Sequence, residues 1–352
     1  MHNKFIESMN KIADIYQVAR LKHEHIGFPY PDEMRIFVPD LHLISDDRDE
    51  EFKYSTSYPD LLLKMMQELI NLKNEMRQQG KKVHVYQLGD FIDLWRETPY
   101  GWPSDRWNAA ISQILDDKYP VISYFLDSSL STNFVLGNHD FDLYHNNLFG
   151  HVGQKHFFPL NDPKAIVFHG DIIDLKEIVL PNPLQYLAVN VFGPLANPSE
   201  GDLGIIKNAR IQAHRNKDYE NSIQQKTVPL GNISNLKKIN QTETFNVKKI
   251  GAAPKKELEY LSEAKALVNK INQRHDTDLR MAFMGHSHHA RIAVDETEGQ
   301  FFALIDCGGW INNCKGKFEQ EGEEQELEME NAQIGVLSNN DVRIYQLKPK
   351  NT

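Results

Sequence analysis

Five short apolar runs in this chain each end directly in a cluster of Asp, His, Asn and Gly residues, and this repeated junction constrains the fold most. In the first half of the chain the runs alternate with helical patterns, an order typical of an α/β sheet. Ligands bind at the edge where the carboxyl ends of such strands lie, so we predict one common site. The clusters are Asp40-Leu41-His42, Gly89-Asp90-Phe91-Ile92-Asp93, Gly137-Asn138-His139-Asp140, His169-Gly170-Asp171 and Gly285-His286-Ser287-His288.

Helices are predicted where apolar residues recur at spacings of three and four. Residues 61–76 have this spacing and begin just after Pro59, a common helix start. Residues 104–129 are predicted to be mainly helical, with a break at Pro120. Residues 1–20 predict an amphipathic helix that packs on the domain, because its polar face carries both charge signs rather than a basic stripe.

The carboxy-terminal part contains four β-type runs with short connections. The connections leave no room for helices, so we predict an antiparallel meander. A segment with seven Glu, residues 319–330, is predicted to be a solvated loop or sheet edge. The four runs are residues 291–294, 301–305, 334–337 and 342–347.

Composition predicts a globular protein in a reducing compartment. The chain has 352 residues, of which 40% are hydrophobic and 25% charged, and no window reaches about 18 uninterrupted apolar residues. The amino terminus lacks the apolar stretch of a signal peptide, and the only cysteines, Cys307 and Cys314, have no spaced partners for a disulfide framework or zinc knuckle. We therefore predict a cytoplasmic protein. The net charge of −10 argues against whole-surface attraction to nucleic acid or anionic membrane.

Two segments interrupt the α/β pattern. Residues 178–197 are apolar and dotted with proline, which is compatible with a cap, a hydrophobic substrate lip or ordinary buried packing. Residues 206–256 hold eleven Lys or Arg against three acids. This basic insertion is compatible with steering of an anionic substrate and equally with a solvated loop.

The residue types in the five clusters favour a metal site. Asp, His and Asn suit divalent metals such as Mn, Fe and Zn, and no thiolate is offered. Residues two apart in an extended segment point the same way, so Asp40 with His42, and His286 with His288, can each present two ligands to one cavity. Each pair alone is a weak signal, but five clusters after five strands are hard to explain as core histidines and turn aspartates.

These motifs resemble the calcineurin-like metallophosphoesterase superfamily, whose signature is D-x-H, GD-x-x-D, GNH-D/E, a later His often followed by Gly-Asp, and G-H-x-H. The match runs in order from Asp40 to His288. The resemblance implies a four-layer α/β/β/α sandwich with an inserted lid. We assign residues 31–352 to this domain, residues 176–278 to the lid and residues 1–30 to a helical extension.

The resemblance also implies two divalent metal ions, with Mn as the expected metal and Fe or Zn as alternatives. Asp90 would bridge them, and such a pair clamps a phosphoryl group and activates a hydroxide for in-line attack. The sequence departs from the family's usual residues at Pro39 and Ala290, and these departures affect the shape of the loops but none of the implied ligands. The implied ligands are Asp40, His42, Asp90 and His288 for one ion, and Asp90, Asn138, His169 and His286 for the other.

His139 is expected to protonate the leaving oxygen or stabilise transition-state charge, as this position does in the family. An imidazole that titrates near neutral pH suits that role. Three acids are expected to orient neighbours: Asp140 would orient His139 or a ligand, Asp93 would brace the turn after Asp90, and Asp171 would act behind His169. A simple turn or cap residue is the alternative for each of these three.

Part of the pattern looks similar to the branch that contains UDP-diacylglucosamine pyrophosphate hydrolases, which also carries an inserted cap. That branch usually has Arg at the position of His139, so its lipid substrate is not carried over. The sequence predicts a phosphoesterase acting on a phosphodiester, pyrophosphate or phosphomonoester, with a small or lipid-linked substrate. A nuclease and a non-catalytic scaffold of the same fold are the alternatives, and the oligomeric state stays open.

Overall fold

The structure is a computed structural model that describes part of the chain. The described residues are 1–22, 32–46, 58–94, 104–140, 154–155, 157–159, 164–174, 254–295, 301–311, 314–320, 323–329, 332–338 and 341–350.

Within these ranges the strands are β1 (Ala13–Lys22), β2 (Glu33–Val38), β3 (Lys82–Gln87), β4 (Asn133–Val135), β5 (Gln154–Lys155), β6 (Phe157–Pro159), β7 (Ala165–Phe168), β8 (Met281–Met284), β9 (Arg291–Asp295), β10 (Phe302–Asp306), β11 (Cys314–Gln320), β12 (Glu323–Met329), β13 (Gln333–Ser338) and β14 (Asp341–Pro349). The helices are α1 (His2–Met9), α2 (Pro59–Gln78), α3 (Ser104–Asp117), α4 (Tyr119–Leu126), the single turn α5 (Asp171–Asp174) and α6 (Pro254–His275).

The described strands form two large sheets and one separate hairpin. The larger sheet has the order β1-β14-β13-β2-β3-β4-β5, and its β2, β3, β4 and β5 are parallel. The smaller sheet has the order β6-β7-β8-β10-β9, and its β7, β8 and β10 are parallel. Strands β11 and β12 pair only with each other in this part of the chain. The architecture is therefore a mixed α/β fold, as the sequence predicted.

Three apolar clusters show how these layers pack. The first lies between the outer face of the larger sheet and helices α1 to α4, where Ile36 and Val85 meet Leu62 and Met66. The second lies between the two sheets, and the rings of Phe37 and Phe283 stack there with centroids 4.1 Å apart. The third cluster packs α6 against the outer face of the smaller sheet. Both sheets are thus buried on both faces, which accounts for the apolar runs in their parallel strands.

The predicted helix over residues 1–20 is only partly correct. Helix α1 ends at Met9, and β1 follows and pairs antiparallel with β14 along the sheet edge. Apolar residues at spacing three and four also occur in a strand that alternates imperfectly, and pairing with β14 satisfies the backbone groups of this strand. The amino-terminal extension, residues 1–30, is therefore part helix and part strand where it is described.

The predicted carboxy-terminal meander is wrong, because its four runs belong to two sheets. Strands β9 and β10 form a hairpin in the smaller sheet, whereas β13 and β14 form one in the larger sheet. The chain crosses between the sheets after β10, where Asp40 and Gly309 form a parallel bridge. Local spacing predicts hairpins but carries no information on which sheet each hairpin joins. The Glu-rich segment, predicted as a loop or edge, contributes β12 to the separate hairpin.

The predicted lid falls mostly outside the described residues. This applies to residues 178–197 and to the basic insertion as far as residue 253. The last part of the predicted lid range is helix α6, which packs on the smaller sheet. None of the described helices combines the length and the apolar character that crossing a membrane requires.

Candidate metal centre

All five predicted clusters lie at the carboxyl ends of parallel strands, three in the larger sheet and two in the smaller one. The backbone ties the loops of each sheet together. The N–H groups of Leu41 and His42 both donate to the carbonyl of Asp90, at 3.1 and 2.8 Å. The N–H of Gly285 donates to the carbonyl of His169 at 3.0 Å. Because the sheets face each other, the two sets of loops meet at one end of the sandwiched core.

One group of potential ligands consists of Asp40, His42 and His288. Their ligand atoms lie within 4.8 Å of one another. His288 Nε2 is 3.0 Å from Asp40 Oδ2 and 3.2 Å from His42 Nε2. The side chains of Asp40 and His42 are almost fully buried, so water screens their charges only weakly.

A second group consists of Asp90, His169 and His286, again with ligand atoms within 4.8 Å of one another. His169 Nε2 lies 3.2 Å from Asp90 Oδ2 and 3.3 Å from His286 Nδ1. Asn138 joins this group, because its Oδ1 lies 3.1 Å from the same Nε2 of His169.

Asp90 stands between the two groups. Its Oδ2 lies 3.2 Å from His169 Nε2 and 3.4 Å from His42 Nε2, so one carboxylate oxygen faces a histidine of each group. Its Oδ1 accepts a hydrogen bond from the N–H of His139 at 2.9 Å. His42, Asp90 and His139 also form a third set of ligand atoms within 4.8 Å. Asp90 therefore belongs to both groups of potential ligands, since its carboxylate lies close to a histidine of each.

The donor set fits a divalent cation because acceptor atoms face one another. His169 donates its Nδ1–H to the carbonyl of Leu88 at 2.8 Å, since a carbonyl only accepts. Its Nε2 then faces the oxygens of Asn138 and Asp90, and three such atoms need a proton or a cation between them. In addition, Asp40 Oδ1 is buried and accepts no hydrogen bond from any residue that the structure describes. These buried His and Asp groups can therefore hold a metal ion.

Neighbouring charges shift the pKa values of Asp90 and His169 strongly. Burial opposes ionisation of Asp90, yet the imidazoles of His169 and His139 hold the pKa of its carboxyl well below the usual range. Burial equally opposes a charged His169, but the carboxylates of Asp90 and Asp40 raise its pKa well above the ordinary value. Positive charge is therefore favoured between these side chains, where a cation can replace the proton.

Four site residues have a left-handed backbone, which non-glycine residues adopt at a cost of about 1 kcal/mol or more. They are His42, Asp90, His286 and His288, with φ angles of 46°, 50°, 71° and 56°. Such strain persists only where the surroundings hold it in place. Four of the seven non-glycine residues with positive φ among the described residues thus lie in these loops.

Two motif glycines are required by the close approach of ligand carboxylates. A Cβ at Gly137 would lie 2.1 Å from Asp90 Oδ1, and a Cβ at Gly285 would lie 2.0 Å from Asp40 Oδ1. Both distances are far below van der Waals contact, so no other residue fits without moving a carboxylate.

Asp93 holds two histidines at once. Its Oδ2 accepts from Nδ1 of His42 at 2.9 Å, and its Oδ1 accepts from Nδ1 of His139 at 2.8 Å. Burial works against its charge, but these two imidazoles hold the pKa of Asp93 below its usual range. The sequence predicted only that Asp93 would brace the turn after Asp90. In the structure Asp93 also orients His139.

Asp140 ties two ligand loops together instead of orienting His139. Its Oδ2 accepts from the N–H of Phe91 and its Oδ1 from the N–H of Gly137, each at 2.7 Å. Burial, together with the negative charge of Asp90, raises the pKa of Asp140 to about 7. Asp171 is buried at the start of α5 and acts on His169 through its charge.

Two residues at the site were missed by the sequence prediction. The side-chain amide of Gln87 pairs with both backbone groups of Gly89, at 2.7 and 3.0 Å, and so holds the turn that carries Asp90. No sequence signal distinguishes Gln87 from other strand residues. Asp306 lies next to the loop of His286 and His288, and its position at the end of an apolar strand is the same signal that identified the five clusters.

Comparison of the chain with models of known protein families finds no match. Comparison with curated proteins finds no significant match either. The functional conclusion therefore depends on the geometry and chemistry of the site itself.

Proposed function

We propose that the protein is a two-metal phosphoesterase that resembles the calcineurin-like metallophosphoesterases. The observation that carries the proposal is the position of the Asp90 carboxylate between two buried His and Asp groups. A shared carboxylate between two sets of nitrogen and oxygen donors suits two divalent cations about 4 Å apart.

In this proposal Asp40, His42, Asp90 and His288 hold one cation, and Asp90, Asn138, His169 and His286 hold the other. The bound pair would act as a Lewis acid towards the phosphoryl oxygens and lower the pKa of bound water. We expect Mn²⁺ as the metal, with Fe or Zn as alternatives, because imidazole and carboxylate donors suit all three.

His139 is proposed as the group that delivers a proton to the leaving oxygen or stabilises its charge. Its side chain is 18% exposed, similar to the 16% of His288, whereas those of His42 and His169 are 1% and 0% exposed, so the ring of His139 is open to a substrate. Asp93 accepts its Nδ1–H, which fixes the tautomer and the orientation of the ring.

The packing of the two sheets supports the finer fold assignment. Helices α1 to α4 cover one sheet, the sheets pack on each other, and α6 covers the second sheet. This order supports the four-layer α/β/β/α sandwich of the superfamily. The paucity of cysteine supports a cytoplasmic location for the proposed enzyme.

The substrate is proposed to be a phosphodiester, a pyrophosphate or a phosphomonoester of a small or lipid-linked molecule. We expect the residues that distinguish these substrates to lie in the predicted lid, most of which is outside the described residues. The nuclease and the non-catalytic scaffold are kept as outcomes of the test.

The test is Mn²⁺-dependent hydrolysis of a chromogenic phosphodiester and a chromogenic phosphomonoester. Asp90→Ala controls for contaminating phosphatases, and we expect it to lose both cations and all activity. Hydrolysis by wild type that disappears in Asp90→Ala supports the proposal, and the preferred ester narrows the substrate class. Steep salt dependence with activity on DNA or RNA would indicate the nuclease. Purified protein that binds no metal and hydrolyses neither ester would indicate the scaffold.

A further inference from the structure

His286 and His288 flank a partly buried serine whose hydroxyl belongs to a chain of polar contacts that leads into the smaller sheet. The hydroxyl of Ser287 donates to Oδ2 of Asp306, and its oxygen accepts from the N–H of His289 at 3.2 Å. The N–H of Ser287 also donates to the carbonyl of Gly285 at 2.9 Å. Ser287 therefore contacts the residues on both sides of it in the loop, Gly285 and His289, as well as Asp306 in the sheet.

Asp306 anchors this loop to the smaller sheet. It ends β10, is fully buried, and lies beside Met284 of β8 in the parallel ladder. Arg291 donates to Oδ2 of Asp306 at 3.0 Å from the facing position on β9, and the N–H of Gly308 donates to Oδ1 at 3.2 Å. A buried charge pair with a further hydrogen bond to each oxygen has little freedom to move.

The chain of contacts continues to helix α6. The guanidinium carbon of Arg291 lies 4.7 Å from the ring centroid of Tyr260, whose side chain is buried against the smaller sheet. An Arg over an aromatic face is attracted to the ring electrons. Contacts therefore run without a gap from α6 through β9 and β10 to the loop of His286 and His288.

We propose that Ser287, Asp306 and Arg291 form a positioning network that sets the orientation of His286 and His288 and hence the affinity of the protein for divalent cations. The inference rests on the proposed function only in taking these two histidines as cation ligands. None of the three network residues touches the substrate or a cation in this proposal.

The backbone of the loop explains why a network is needed. His286 and His288 have φ angles of 71° and 56°, and this left-handed backbone is unfavourable for residues with a Cβ. Loss of the tie between Ser287 and Asp306 lets the loop relax towards a more favoured backbone and moves the two imidazoles apart. Residues that orient metal ligands typically change cation affinity by about 10- to 100-fold when removed.

The experiment compares Ser287→Ala with Ser287→Thr, which keeps the hydroxyl, and with Ser338→Ala. Ser338 is a suitable control because it is buried and its hydroxyl has no hydrogen-bond partner among the described residues. The affinity of metal-free protein for Mn²⁺ is measured by competition with a chelator. The visible absorption of Co²⁺ bound to each variant reports the geometry of the ligands, and thermal unfolding of metal-free protein reports folding.

Ser287→Ala is expected to weaken the binding of at least one Mn²⁺ by about 10- to 100-fold and to change the Co²⁺ spectrum, with little change in thermal unfolding. Ser287→Thr and Ser338→Ala are expected to behave like wild type. Asp306→Asn, which keeps the size of the side chain, is expected to weaken Mn²⁺ binding in the same direction.

The inference is overturned if Ser287→Ala binds Mn²⁺ and Co²⁺ as wild type does, or if Ser338→Ala weakens binding equally. A wild-type protein that binds no Mn²⁺ refutes both this inference and the proposed function. A wild-type protein that binds Mn²⁺ but hydrolyses no phosphoester refutes the enzymatic proposal alone, because the affinity series still decides the role of the network.

Discussion

The carboxylate of Asp93 accepts a hydrogen bond from Nδ1 of His139 at 2.8 Å. Its other oxygen accepts from Nδ1 of His42 at 2.9 Å. Because a carboxylate only accepts, both rings carry a proton on Nδ1, and their Nε2 atoms are left for other contacts. One buried acid thus sets the tautomer of a proposed metal ligand and of the proposed proton donor.

Asp93→Asn should lower kcat by about 100-fold or more, because the amide offers one acceptor oxygen to two N–H groups. One imidazole must then turn or change its tautomer. The measurement is kcat for a chromogenic phosphoester at saturating Mn²⁺. Asp278→Asn, a partly exposed aspartate before β8 and away from the site, is the matched control and should keep wild-type turnover. Wild-type kcat in Asp93→Asn would show that neither histidine depends on this contact.

His139→Ala should keep both cations and lose about 100-fold or more in turnover, since the ring is proposed to act on the leaving oxygen and not to hold a metal. Elemental analysis measures the bound Mn, and kcat is compared for esters with good and poor leaving groups. The loss should be largest for the poor leaving group, which needs the proton most. His84→Ala, at the opposite end of β3, serves as control. Full activity of His139→Ala on the poor leaving group would rule out the acid role.

His2 should make the folded state more stable at pH 7 than at pH 5. Burial lowers the pKa of His2 to about 4, and the neutral ring fits its partners, the carbonyl of Asp341 and the hydroxyl of Tyr345. Between the folded pKa and an unfolded value of about 6.5 the unfolded chain binds more protons. Stability therefore rises with pH across this interval and is lost as the pH falls.

The expected contribution of His2 between pH 5 and pH 7 is about 2 kcal/mol, at about 1.4 kcal/mol per pH unit. Urea unfolding at both pH values measures it. His2→Gln can form the same hydrogen bonds without titrating, so its stability should depend less on pH by about that amount. Equal pH dependence in the two proteins would contradict the buried neutral imidazole.

Phe283→Ala should destabilise the protein by about 3–5 kcal/mol, because it removes a fully buried ring from between the two sheets. Its ring stacks on Phe37 of the facing sheet, so both layers lose contacts. Urea unfolding gives the change in the free energy of unfolding. Tyr119→Ala, at a side chain that is 64% exposed, should change it by less than about 0.5 kcal/mol. An equally small effect at Phe283 would mean that the sheets do not depend on this packing.

The local sequence pattern was sufficient to predict the strands that precede the site residues. The strands before Asp40, Asp90 and Asn138 are short, and their last residues are buried, so the glycines and polar residues that follow them are easy to recognise in the sequence. Helix α2 was equally clear, because its apolar residues repeat at helical spacing after a proline start. Each of these signals lies within about twenty residues.

The sequence predictions that were wrong concern elements whose structure depends on pairing with residues far away in the chain. Strand β1 exists because β14, more than 300 residues later, offers it a free edge. The division of the predicted meander between two sheets depends on where the chain crosses near Gly309, next to Asp40. No local spacing encodes these pairings.

The sequence by itself determined the residue types of the candidate site and their places at strand ends, because alternation and turn chemistry are local properties of the chain. Only the tertiary structure decided which of these side chains touch. It placed Asp90 between the two histidine groups, turned Asp140 to the backbone, joined Asp93 to His139, and brought Asp306 beside Ser287. These contacts join loops of two sheets and depend on the packing of the buried faces, which is a property of the whole fold.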